Sequence, residues 1–488
     1  MSKRNRSSRS GAKRRRARRR AMATNRASLL SMWQWLLPDG IFAKFACHGN
    51  TKWNPFQFVV LAFCWTWSEA RCLTDAFVQA AESCRVLFGS PALSTCQGFM
   101  GALVKWSPTL VRTTMAAVRQ RMQEIGGRFW RVGGWVAIAF DGSRATAPRT
   151  RSNEAAYCAA NYGKGKTARY RRKKTKGLRR RKNAKAKPQP QEPQAWITLL
   201  WHVGLRLPWT WRLGPSNASE REHAMEMLAE EDFPERSLFC GDAGFIGYPL
   251  RARILERGHD FMVRAGANVH LQVERADGRA VAEGREQAVL RWPNDARQAG
   301  LPPLRLRLLH ARIKKTKVWL LTSVLDRREL SLKQAVRLYE ARWGIEIEFR
   351  GLKQTLNRAE LRCRQAKRLR AELDWSILGM AVAELFALKE QLRPATPKPG
   401  RPSQRSLSET MRALRWCLRN LKEEAPAARG LAERLRDARI DACRRKSSKR
   451  ARYRPANPGK KPLGDPKLRV MTPDEKRKLR QRNFPLAA

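Results

Sequence analysis

Apolar positions in the first quarter of the chain recur at three- and four-residue spacing. The runs FQFVVLAFCWTWSEA, CLTDAFVQAAESCRVLF and LVRTTMAAVRQRMQEI carry this period and predict helices across 28–124, punctuated by TKWNP and GSPALS. The period then changes. WVAIAFDGSR (135–144) is short, β-branched and aromatic, and predicts a buried strand that ends at a turn at Asp141 and Gly142. WITLLWHV (196–203) and WTWRLGP read as further strands, and SNASEREHAMEMLAEE as a helix with an N-cap signal. SLFCGDAGF (237–245) is another buried strand, ending at Asp242 and Gly244, followed by a helix in YPLRARILERG and a strand in DFMVRA. Residues 267–325 read as hairpins with ADGR as a turn. ELSLKQAVRLY then leads into a helix through LYEARWGIEIEFRGLKQTL (338–356), and AELDWSILGMAVAELFALKEQL is a second, strongly apolar helix. A small helical segment extends to about residue 440, and the basic, proline-spotted remainder is expected to be disordered.

These patterns divide the chain into a basic disordered arm (1–25), a helical N-terminal accessory region (26–130), an α/β region (131–390) and a helical, then basic, C-terminal region (391–488). The α/β region contains a basic loop at 164–187 and the β-rich insertion at 267–325.

Charge narrows the function. The 488 residues carry a formal charge of +58, which points to a polyanionic partner, nucleic acid above all. Eleven of the first twenty residues are Lys or Arg, and the segment 164–187 holds fourteen basic residues and no acid. That segment reads either as an arm that follows phosphates or as a solvated loop. The ten cysteines and six histidines are dispersed without zinc-type spacing, which leaves free thiols as the default. No apolar segment follows the basic N-terminus as in a secretory signal, and Phe56–Trp67 is too short to span a bilayer. A cytoplasmic, nucleoid-associated protein without membrane contact is expected.

On a helix of about 100° per residue, Tyr339, Arg342, Glu346 and Lys353 fall within a sector about 60° wide, and Glu348 falls opposite. Alone, this set could be a surface ladder of ion pairs worth a few tenths of a kcal/mol. Likewise, Asp141 and Asp242 could each be ordinary turn residues. Together, two aspartates at the ends of apolar strands and a glutamate on a basic helix form a set that could hold divalent metal for phosphodiester cleavage.

The spacing Y-x2-R-x3-E-x6-K, filled by Tyr339, Arg342, Glu346 and Lys353, resembles the YREK signature of bacterial cut-and-paste DDE transposases of the IS-four type. The order of strand-borne Asp141, strand-borne Asp242, β-rich insertion and glutamate helix is similar too, over about residues 130–390. The resemblance implies a ribonuclease H-like core. It implies Asp141, Asp242 and Glu346 as catalytic ligands of two Mg²⁺ or Mn²⁺ ions. It also implies a homodimer acting on double-stranded DNA, both transposon ends and target. Tyr339, Arg342, Lys353 and, more weakly, Arg264 would contact phosphates, and Trp343 would either stack on the distorted DNA end or pack its helix. Trp292 and Trp319 are open to the same two readings.

Two other functions remain to be weighed. A tyrosine recombinase would use Tyr339 as nucleophile, but leaves both aspartates without a role. A basic DNA-binding protein without catalysis, including a domesticated or inactive transposase, would need none of the carboxylates.

Overall fold

The computed structural model describes residues 22–43, 45, 53–90, 92–158, 192–273, 282–313, 316–393, 400–426, 430–440 and 463–481. The basic loop at 164–187, the ADGR turn and the first 21 residues of the expected arm lie outside them.

Strand β1 (Met22–Thr24) leads into four helices: α1 (Asn25–Leu36), α2 (Pro55–Trp67), α3 (Leu73–Phe88) and α4 (Cys96–Gly126). Each is started by a side chain that accepts from a backbone N–H of its first turn: Thr24, Asn54, Cys72 and Thr95. The α/β part continues with β2 (Val136–Thr146), α5 (Arg151–Tyr157), β3 (Gln194–His202), β4 (Leu207–Gly214), α6 (Glu220–Glu230), β5 (Ser237–Gly241), α7 (Tyr248–Glu256) and β6 (Asp260–Ala265). Next come β7 (His270–Val273), β8 (Glu286–Arg291), α8 (Asn294–Gln298), β9 (Leu304–Ile313) and β10 (Thr316–Thr322). The chain closes with α9 (Leu332–Arg342), α10 (Gly344–Arg350), α11 (Ala366–Gln391), α12 (Leu407–Arg419), β11 (Glu424–Pro426), α13 (Leu431–Asp437), β12 (Lys467–Val470) and α14 (Pro473–Gln481).

Ten strands form one open sheet in the order β12-β7-β8-β9-β10-β6-β5-β2-β3-β4, with helices on its faces. Strands β2, β3 and β4 form an antiparallel meander, and β5 and β6 then add in parallel beside β2. This mixed α/β core is consistent with a ribonuclease H-like transposase core. The stretch 267–325 extends the same sheet through β7–β10, because β10 pairs antiparallel with β6.

Several sequence expectations change. Strand β2 does not stop at Asp141. It runs on to Thr146 against β3, while its parallel pairing with β5 ends at Ala139. The helix read through 338–356 is broken. Helix α9 ends at Arg342, Trp343 bends the chain, α10 follows, and Gly351–Thr355 is a π-helical turn. The C-terminal stretch taken as disordered contains β12, which pairs parallel with β7, and α14, whose Glu475 binds Arg469 and Arg297. KLRV is too short for a periodicity argument, and it gains order by covering a sheet edge. Residues 22–25, assigned to the arm, are β1 paired with β11 and the first residue of α1.

Helix α11 is buried all round from Trp375 to Leu388, a stretch whose one charged residue is Glu384. The N-terminal helices pack directly on it. Trp67 Nε1 donates to the Gly379 carbonyl at 2.9 Å, and Trp375 Nε1 donates to Ser107 Oγ at 2.7 Å. A Cβ at Gly379 would stand 2.7 Å from Thr66 Oγ1 and 3.3 Å from Trp67 Nε1. Gly379→Val is therefore expected to lower unfolding free energy by about 2–3 kcal/mol, since overpacking outweighs the small helix-propensity gain. Urea titration followed by tryptophan fluorescence measures this.

Candidate active site

The two aspartates follow the end of the pairing between β2 and β5. Strands β2 and β5 pair in parallel with Ala139 opposite Cys240. Asp141 and Asp242 each stand two residues past this last pair, and Asp242 lies near enough to Asp141 to act on its carboxyl. The buried run Val136–Phe140 ends at Asp141. One oxygen of each aspartate is held by local backbone: Asp141 Oδ1 accepts from Gly142 N at 2.9 Å, and Asp242 Oδ1 accepts from Gly244 N at 2.7 Å.

Glu346 comes from α10. Asp141 and Glu346 line one open cavity of about 440 Å³ together with Gly142, Phe349, Arg350 and Lys353. Lys353 reaches this wall from the π-helical turn, and partial burial lowers its pKa. Tyr339 and Arg342 lie deeper, 2 % and 3 % exposed, with the guanidinium 5.2 Å from the tyrosine ring centre. Burial raises the Tyr339 pKa, against the opposing fields of Arg342 and Arg264. Arg342 Nε has no hydrogen-bond partner among the described residues. Trp343 is 49 % exposed at the bend before α10, with the Arg342 guanidinium 5.7 Å from its ring. Arg264 sits half-buried on β6, opposite Leu320 of β10. Trp292 and Trp319 are buried in packing: Trp292 Nε1 donates to the Leu301 carbonyl, and Trp319 stacks on His310 and donates to Asp465.

The two glutamates of IEIEF differ sharply. Glu346 is exposed to the cavity, while Glu348 is buried on the other side of α10. Glu348 accepts from Trp201 Nε1 at 3.3 Å. Burial raises its pKa well above the usual range, and neighbouring Glu384 raises it further. Arg405 holds Glu384 at 3.1 Å and donates to the carbonyls of Leu205 and Arg206. The back of the helix that carries Glu346 is thus fastened to α11 and to the turn after β3.

One carboxylate escaped the sequence reading. Glu220, at the first turn of α6, turns in toward Gly142 and Gly244, the glycines that follow the two aspartates. An acid there is ordinary helix chemistry, so nothing in the sequence marks it out. Burial pushes the Glu220 carboxyl up to about 7, and Asp242 and Asp141 add to the shift. Burial likewise pushes Asp141 up to about 6. The Gly142 N–H and Arg342 oppose this, and Asp242 and Glu346 reinforce it.

Both folded-state values lie above those of free carboxyls, so the folded chain binds these protons more tightly than the unfolded one. Their stabilisation is complete below the ordinary carboxyl range and is lost as pH rises through about 6 and about 7. Metal-free protein should therefore lose melting temperature from pH 5 to pH 8, and an Asp141→Asn/Glu220→Gln double variant should lose less. Calorimetry at the two pH values measures the difference.

Oxygen donors of this kind suit a hard divalent cation. As placed, however, no group of three or more His, Cys, Asp or Glu side chains among the described residues could hold a metal ion. Asp242 and Glu346 lie near enough to Asp141 to act on its carboxyl, and Asp141 and Glu346 border the open cavity. The donor types and this space fit a cation, with closure onto it requiring rotation of the carboxylates.

Among the described residues, no helix is long and apolar enough to cross a membrane. Residues 136–379, half of the chain, match the sequence model of the family described as Transposase DDE domain. No curated protein matches the chain. Among solved structures, a piggyBac transposase synaptic complex with hairpin DNA aligns at 13 % identity over 84 % of each chain, with a TM-score of 0.39.

Proposed function

This chain belongs to the transposase DDE-domain family, and from that premise we propose that it is a cut-and-paste DNA transposase of the IS-four type. In this reading it cuts the ends of its element and joins them to target DNA. The single observation that supports the reading is the shared wall of Asp141, Glu346 and Lys353. Acids and a phosphate-binding cation then face the same open space, in a chain of charge +58.

Asp141, Asp242 and Glu346 would hold two Mg²⁺ or Mn²⁺ ions, which supply an activated nucleophile and stabilise the leaving oxygen in phosphodiester cleavage. The chain's own residues do the rest. Lys353 places a point charge against a phosphate beside the cut, and Arg342 offers a planar guanidinium behind it. Tyr339, packed against that guanidinium, and Arg264 of β6 would add further phosphate contacts. Trp343, exposed at the bend, presents a ring on which an unstacked base can rest. The substrate is double-stranded DNA, bound by a homodimer in the bacterial cytoplasm at the nucleoid.

The recombinase alternative fits less well, since Tyr339 is buried and its hydroxyl is held protonated rather than activated. DNA binding without cleavage is the reading favoured by carboxylates that do not converge as placed.

Incubating the full chain with DNA carrying candidate ends, with Mg²⁺ or with EDTA, separates the three. Cleavage that needs Mg²⁺ supports the transposase. A covalent protein–DNA adduct abolished by Tyr339→Phe would select the recombinase. Binding without cleavage under both conditions would select the third reading.

A further inference from the structure

We infer that Trp201 is a positioning residue for Glu346: its indole is the seat on which α10 rests, and it sets how that helix is turned toward Asp141. The inference rests on the proposed metal-dependent reading and adds to it the residue that places the glutamate.

Strand pairing puts the seat in place. Trp201 of β3 lies opposite Ala139 of β2, and Asp141 follows two residues later, opposite Leu199. Side chains two apart on a strand share a face, so Trp201 stands on the face of the sheet that carries Asp141.

Two residues of α10 meet this one side chain. A Cβ built on Gly344 would overlap Trp201 Cη2 and stand 3.0 Å from Cζ3 and 3.1 Å from Cζ2. The start of the helix therefore lies directly on the six-membered ring. Alanine would suit a helix better than glycine, so Gly344 marks the close approach. From its five-membered ring, the indole Nε1 donates to Glu348 Oε2 at 3.3 Å. At about 100° per residue, positions 344 and 348 lie about 40° apart, and 346 lies about 160–200° from both. Seating 344 and 348 on Trp201 thus turns Glu346 away from the ring, toward the cavity it shares with Asp141. The indole is 1 % exposed and tethered at Nε1, so it has no room to swing aside.

Three measurements on the full-length protein test this together: single-turnover cleavage of end DNA in Mg²⁺, end-DNA binding in EDTA, and Mn²⁺ binding without DNA, read by electron paramagnetic resonance. Gly344→Ala lifts α10 off its seat. It should cut about 10²-fold more slowly, as a misplacement of about 1 Å can cost. It should also bind Mn²⁺ about 10-fold more weakly, yet bind end DNA as wild type does. Trp201→Phe removes the far ring atoms and the N–H, and alone should show smaller losses of the same kind. Combined with Gly344→Ala it should restore most of the rate and the Mn²⁺ affinity, because the added methyl then has room. A merely structural role would lower the melting temperature without this rescue. Melting curves show whether each variant is folded. Trp201→Phe adds no bulk and carries the test if Gly344→Ala does not fold, with wild-type Mn²⁺ affinity overturning the inference. Wild-type cleavage and Mn²⁺ affinity in Gly344→Ala, beside losses in Glu346→Gln, overturn the role of Trp201 alone. Losses that simply add in the double variant overturn it too. Wild-type cleavage and Mn²⁺ affinity in Glu346→Gln remove the metal reading itself, and the inference with it.

Discussion

A Glu346→Gln protein is expected to bind end DNA with near wild-type affinity and to cut it about 10³-fold more slowly or worse, whereas Glu348→Gln cuts within a few-fold of wild type. The first magnitude follows from removing one member of a set that acts as a unit. The second follows from protonation. Burial and Glu384 hold Glu348 as the neutral acid, so the neutral amide of glutamine replaces it with little change in charge or shape. Gel-shift titration gives the binding and single-turnover cleavage in Mg²⁺ gives the rate. Equal losses in the two variants would end the assignment of Glu346 as the working glutamate.

Arg405→Leu should have the largest effect on stability, about 3–5 kcal/mol, because it strands a buried charge. Glu384 is 5 % exposed and its close cation is Arg405. The same substitution also leaves the carbonyls of Leu205 and Arg206 without their donor. Pairing Arg405→Leu with Glu384→Gln should recover a large part of the loss, since both charges then disappear together. Chemical denaturation of the four proteins of this cycle measures the coupling. Additive losses would show that the pair is not the source.

The contrast between Glu346 and Glu348 was legible from helical spacing, yet the helix that carries it is not continuous. The wheel places Lys353 on the Glu346 face at 100° per residue, and the chain reaches a common wall by way of a bend at Trp343 and a π-helical turn. Both short segments lie below the length at which periodicity can report a change of pitch. The aspartates were visible because apolar runs stop at them. Glu220 was invisible because the room it turns into is left by Gly142, which is distant from it in sequence. Trp292 and Trp319 could not be assigned by composition, since a buried tryptophan and a base-stacking one look alike until their partners are known. The strand at 467–470 was hidden for a similar reason, as it gains order only against β7.

The pairing of β2 with β5 also acts as a ruler. Its offset of 101 residues runs from Val136 and Ser237 to Ala139 and Cys240, and Asp141 and Asp242 each follow two residues after the last pair. Interstrand hydrogen bonds set that offset, so it changes only in whole residues, and a slip of one would turn an aspartate to the opposite face. Chain inserted between the two strands leaves the measure untouched. The long connection through 164–187 can therefore gain, lose or exchange residues over evolution while the two carboxylates keep their separation.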